Sequence, residues 1–183
     1  MSNIDRVERF LKDVFIENPL YSFGDWTIMY NHSRNVRDFA LEIAEFIECD
    51  KSLLEIESIL HDVGKAYKTD AETLRKQHGE LGYEVAKNFL PEIKLSREQK
   101  ERLAAFLVGN TESVEAQIVK DADVIAFFAD EKLQVALKNW ADEQGLPNEL
   151  QRKADKFRNL IFEPSRIIAS PLYEQIKKRW NLL

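Results

Sequence analysis

Cysteine is almost absent. Cys49 stands alone in 183 residues, so no intrachain disulfide can form, and a reducing, cytoplasmic setting is the expectation. Glycine (six) and proline (five) are also scarce, too scarce for a collagenous chain or a turn-rich all-β one. No apolar run approaches the ~20 residues that a membrane-spanning helix needs; Val124–Ala129 is among the longest. The first residues, Met1-Ser2-Asn3-Ile4-Asp5-Arg6, lack the basic stretch and following apolar stretch of a secretory signal. Positive charge is not in excess either: 26 Lys and Arg face 32 Asp and Glu, a net charge of −6. That balance argues against a nucleic-acid polymer as partner, while leaving room for a local basic pocket around one phosphate.

What the chain does have is a helical apolar period almost throughout. Hydrophobic residues make up 44% of it, enough for the core of one domain of this length. Ile4, Val7, Phe10, Leu11, Val14 and Phe15 form one stripe, ended by Asn18-Pro19. A second runs from Ile28 through His32, Val36, Ala40 and Ile43 to Ile47. Ser52-Leu53-Leu54-Glu55 reads as a capping box opening a helix that stops near Gly64, a plausible C-cap. A polar connection from Tyr67 to Lys76 leads to a helix over about 78–90, bounded by Pro91. Ser96-Arg97-Glu98-Gln99 is a further capping box, and helices follow from about 114, around 133–140 and around 150–161. Ser170-Pro171 reads as the start of the last helix. No segment alternates with period two. The expectation is an all-α fold, a single compact multi-helix bundle over 1–183 with seven to nine helices.

Chemistry is concentrated in few residues. The three histidines are His32, His61 and His78. His32 shares its helix face with Val36 and Ala40, a position that suits a hydrogen-bonded core histidine or a ligand. His61-Asp62 stands at a helix C-terminus, where a carboxylate faces unsatisfied carbonyls and needs a cation; a metal ion or Lys65 would serve. Asp123 lies among Val119, Ala122, Ile125, Ala126 and Phe127. It is either buried and paired or on a solvated margin, and neighbouring Asp121 is then the exposed carboxylate. Histidine, His-Asp and aspartate from three helices suit a divalent transition metal, but spacing alone does not bring them together.

The ordered set His32, His61-Asp62, Asp123 resembles the HD-domain superfamily of metal-dependent phosphohydrolases. Asn31-His32-Ser33-Arg34-Asn35-Val36 is similar to its first motif, Ser58-Ile59-Leu60-His61-Asp62-Val63-Gly64-Lys65 to its second, and Val119-Lys120-Asp121-Ala122-Asp123 to its last. The resemblance implies an all-α HD-like fold whose motif-bearing part is about 27–130, with 131–183 packed on it. It implies one divalent metal per chain (Mn, Fe, Co, Ni, Zn or Mg) held by His32, His61, Asp62 and Asp123. His78-Gly79-Glu80-Leu81-Gly82 resembles the segment whose histidine reaches a second metal or the substrate phosphate. Members with two metals carry a further histidine where this chain reads Phe106-Leu107-Val108-Gly109-Asn110-Thr111-Glu112.

The function implied is hydrolysis of a phosphomonoester or phosphodiester of a small metabolite, a nucleotide among the candidates, by metal-activated water. Asp62 or Asp123 would orient or deprotonate the water, and Lys65 would hold a phosphate oxygen as a point charge. Arg34 and Arg37, flanking His32, are candidate substrate-binding residues, and Trp26 and Tyr30 candidate walls for a nucleobase. The Lys68–Gln77 segment is either a lid or a plain surface connection. The second reading is a metal-binding HD-fold sensor with little or no turnover. Neither a membrane nor a nucleic-acid polymer is an expected partner.

Overall fold

The computed structural model describes residues 2–19 and 23–183, apart from the side chains of 71, 72 and 74–76. Among the described residues there are nine α-helices, three short 3₁₀ turns and no strand, as the apolar period requires. No helix among them is long and apolar enough to cross a membrane. The helices are α1 (Asn3–Glu17), α2 (Trp26–Ile43), α3 (Lys51–Leu60), α4 (Ala71–Ala86), α5 (Arg97–Leu107), α6 (Val114–Ala129), α7 (Glu131–Glu143), α8 (Glu149–Ala154) and α9 (Glu163–Trp180).

Helices α2, α3 and α6 pack on one another and form the centre. The helix α3 is buried over seven of its ten residues, Leu53, Leu54, Ile56, Glu57, Ser58, Ile59 and Leu60; burial of each Leu or Ile contributes about 1.5–3 kcal/mol before chain entropy is subtracted. Helix α1 covers this centre with Val7, Leu11 and Phe15, all fully buried at i, i+4 and i+8. The C-terminal helices close the other side. Leu150, Leu160, Ala169 and Ile176 belong to the same continuous core as Val36 and Ile59. Gln134 joins α6, α7 and α9: its amide donates to the carbonyls of Phe127 and Phe128, and its Oε1 accepts from Arg179 and Trp180. All its polar capacity is used, which is why an amide survives there at 0% exposure.

Several boundaries differ from the sequence expectation. Helix α3 is capped by Asp50, whose side chain accepts from Leu53 N–H, and Ser52 Oγ donates to that same carboxylate. A carboxylate two residues earlier outcompetes the serine for the first-turn N–H groups. The helix ends at Leu60, and Gly64 lies inside a 3₁₀ turn, Val63–Ala66, without a left-handed φ. Helix α4 begins at Ala71, capped by Asp70 through Thr73 N–H; its polar first turns carry no apolar stripe and so read as a connection. Within the Lys68–Gln77 segment the backbone from Ala71 on is helical, while five of the ten side chains lie outside the described set. Helix α9 starts at Glu163 and runs through Pro171, since Pro164 already occupies the first turn.

Candidate metal centre

The central helices deliver the key side chains to one point. His32 faces inward from α2, His61 follows the last residue of α3, and Asp123 projects from α6. One donor atom from each of these three lies within 4.8 Å of the other two. His32 Nε2 is 3.0 Å from Asp123 Oδ1, and His61 Nε2 is 3.9 Å from that same oxygen. The two imidazoles meet edge to face, with ring centroids 5.3 Å apart. Ligands at about 2.0–2.2 Å from one ion must lie this close together.

His61 is held in a specific state. Its Nδ1 is 2.8 Å from the carbonyl oxygen of Ser58. A carbonyl only accepts, so Nδ1 carries a proton, and a neutral ring then has its lone pair at Nε2. Nε2 is buried and has no hydrogen-bond partner, although Asp62 Oδ2 lies 3.2 Å away. A buried lone pair facing an imidazole and a carboxylate is what a metal ligand oriented by a backbone carbonyl requires. Two imidazoles and a carboxylate make a donor set that fits Mn, Fe, Co, Ni or Zn.

Asp62 sits one step aside. It leaves the helix at φ −108° to open the 3₁₀ turn. Its Oδ2 accepts from Lys65 Nζ at 2.6 Å and its Oδ1 lies 3.5 Å from His78 Nε2. Of the two cations that the sequence left open for Asp62, the structure provides Lys65 directly. Burial would push the Asp62 carboxyl up, but Lys65, His61 and His78 outweigh it and hold the group well below the usual range. Asp123 is likewise held well below that range: burial opposes ionisation, and the His32 hydrogen bond with Lys156 and Lys153 overcomes it. Burial dominates at His32 and pushes its pKa down despite Asp123. At His61 burial is overcome by Asp62 and Asp123, and the net direction is up.

Gly64 explains how His78 reaches this point. A Cβ on Gly64 would stand 1.8 Å from the carbonyl oxygen of His78 and 2.8 Å from the backbone nitrogen of Gly82. The Asp62–Lys65 turn and α4 therefore touch backbone to backbone, and only glycine permits it.

The sequence reading of the two α6 aspartates is reversed at one of them. Asp121 is 1% exposed and accepts from the backbone N–H groups of Ile161 and Phe162 at 3.0 Å, tying α6 to the start of α9. Asp123, with 26% of its side chain exposed, opens onto a cavity of about 440 Å³. His32, Asp62, Lys65 and His78 also line that cavity, whereas Arg34 and Arg37 do not. Arg37 pairs with Glu8 at 2.8 Å and with Asp38, and Arg34 approaches Glu8 at 3.6 Å and the Tyr30 ring. Trp26 packs against Tyr30 under Lys12 and likewise stays outside the cavity. Sequence reasoning missed Arg152, Lys153 and Lys156, which bring three cations to the cavity from the C-terminal part. Lys156 Nζ is 3.7 Å from Asp123 Oδ2. The Lys153 ammonium, 5.6 Å from the Phe127 ring centroid, is pushed down to about 8 by burial.

The profile of the HD domain matches residues 29–127, more than half of the chain, and the protein belongs to the HD-domain family. The matched segment runs from α2 to α6 and contains His32, His61, Asp62 and Asp123. Comparison with solved structures finds an HD-superfamily hydrolase from Bacillus thuringiensis at 17% identity and a TM-score of 0.66, covering 98% of this chain and 97% of that one. At that identity the likeness is one of fold, and it extends over α7–α9 as well. Comparison with curated protein sequences finds no match.

Proposed function

We propose that this protein is a metal-dependent phosphohydrolase acting on a small phosphorylated metabolite. The observation that carries the reading is His61 Nε2, a buried, oriented nitrogen without a hydrogen-bond partner, close to His32 and Asp123, which line a cavity with several cations. His32, His61 and Asp123 would hold one divalent ion, with Asp62 as the further ligand or the group that orients the attacking water. The ion, when bound, would polarise a phosphate oxygen and lower the pKa of water. Lys65, fixed by Asp62 at 2.6 Å, would set a point charge beside the phosphate, and His78 would reach the same group from α4. The shared core of Val7 through Ile176 supports reading 1–183 as one working unit.

The test is metal content together with turnover. Elemental analysis of protein purified without chelator is expected to give about one equivalent of a transition metal. Hydrolysis of p-nitrophenyl phosphate, its bis-ester and a nucleotide panel, with Mn, Co, Ni, Zn and Mg, is expected to be lost in Asp62→Ala. Bound metal without turnover on any substrate would identify a binding module instead. No metal under any condition would remove the catalytic reading.

A further inference from the structure

The C-terminal cations lie beyond the residues that the HD-domain profile matches, yet they line the same cavity as Asp62 and Asp123. Arg152 is engaged by Glu149. Three ammonium groups, Lys65, Lys153 and Lys156, then face two carboxylates, Asp62 and Asp123. Lys65 and Lys156 each stand against one of these carboxylates. Among the described residues Lys153 makes no ion pair; its recorded contact is with the face of the Phe127 ring. Counted over these described side chains, a divalent ion among the histidines would raise the local excess from one positive charge to three. Ammonium groups that converge in a partly desolvated cavity are repelled by one another and stabilised by an anion placed between them.

Apart from the amide of Gln144, much of the remaining lining is apolar. Met29, Phe127, Leu133 and Leu137 line it beside Trp140 and Phe23. Phe23 holds a left-handed φ of 58°, a strained conformation for an aromatic residue. Phe23 and Trp140 also border a second, outer groove in which Asp25, Glu131 and Glu143 outnumber Lys132. A chain of further phosphates leading out past Phe23 and Trp140 would meet like charge there.

Resting on the hydrolase reading, we propose that Lys65, Lys153 and Lys156 anchor the dianionic terminal phosphate of a phosphomonoester whose organic part is apolar and ring-containing and packs against Phe127 and Trp140. A singly charged diester fills only part of the charge excess. A polyol phosphate leaves the apolar wall in contact with polar groups that find no partner there.

The experiment uses the full-length protein with Mn added. It compares kcat/KM for 1-naphthyl phosphate, glycerol 2-phosphate and bis(p-nitrophenyl) phosphate, and measures binding of inorganic phosphate by calorimetry. Wild type, Lys153→Met and Lys153→Arg are tested with metal content measured in each. The naphthyl ester is expected to exceed both other substrates at least ~10-fold in kcat/KM. Lys153→Met is expected to weaken phosphate binding by ~10–100-fold, with metal content unchanged and with substantial rescue in Lys153→Arg. Preference for the diester, or phosphate binding by Lys153→Met equal to that of wild type, overturns the proposal. The wild-type substrate ratio decides the matter even if Lys153→Met fails to fold. Loss of the hydrolase reading looks different: no turnover on any ester, with phosphate binding still dependent on the charge at Lys153, leaves the anchor standing without the reaction.

Discussion

Replacing Glu57 by glutamine should stabilise the protein, and the gain should grow with pH. Glu57 lies in the middle of α3 at 1% exposure, and its Oε2 is buried without a partner. Burial, with the Glu115 charge adding to it, pushes its carboxyl up to about 8, against the opposing pull of Arg102. Arg102 is already spent on Glu115, which also accepts from the N–H of Asp50. Below pH 4.5 the carboxyl is protonated in both folded and unfolded chains and has no effect. Between there and pH 8 only the unfolded chain ionises, so folding stability falls by about 1.4 kcal/mol per pH unit. At pH 7 the cumulative cost is roughly 3 kcal/mol. Glutamine keeps the shape of the protonated acid and does not titrate. Urea unfolding followed by circular dichroism, from pH 4 to pH 9, should show Glu57→Gln close to wild type at pH 4 and more stable by roughly 3 kcal/mol at pH 7. Taking the difference between the two proteins cancels the titrating groups that do not interact with Glu57. A difference that stays flat from pH 5 to pH 8 refutes the reasoning.

Two further outcomes test how the site is built. Gly64→Ala should cost about 3 kcal/mol or more in urea unfolding, because the added Cβ meets the backbone of α4 rather than a movable side chain. Gly79→Ala on the same helix has nothing within 4 Å of the new methyl and should gain about 0.5–1 kcal/mol; equal effects at the two glycines would show that the close approach is not real. Asp121→Asn should lose roughly 1.5–3 kcal/mol through its bonds to Ile161 and Phe162, with the metal content of the wild type by elemental analysis. A drop in metal content would place Asp121 in the centre after all.

The fold was legible because its signals are local. Apolar residues at i, i+4 and i+8 in α1, the capping box at Ser96–Gln99 and the Asn18-Pro19 stop are all written within one or two turns. The errors fall where local signals compete or are silent. Asp50 and Ser52 both offer an N-cap, and only the backbone geometry chooses the carboxylate. The first turns of α4 are polar all round and carry no period to detect. At Pro171 the sequence reads as a helix start, yet the helix is already under way from Pro164.

The site divides along the same line. His32, His61 and Asp123 sit on, or at the end of, three helices that pack on one another largely through apolar side chains, so placing each on an inward face nearly suffices to bring them together. Asp121 and Asp123 share a helix two residues apart, and the sequence assigned exposure to Asp121. It could not show that the chain returns at Ile161 and Phe162 to bury that carboxylate with two N–H groups. Lys153 and Lys156 were invisible for the same reason. On α8 and the 3₁₀ turn that follows it, beside Arg152 and Asp155, they look like solvated charge, and only the packing of α7 and α9 on α6, with α8 held against α7, turns them inward. The HD-domain match spans residues 29–127 and with them the candidate donors His32, His61 and Asp123. Lys153 and Lys156 come from a segment outside that match, and they become visible once the tertiary structure places their charges on the cavity beside Asp123.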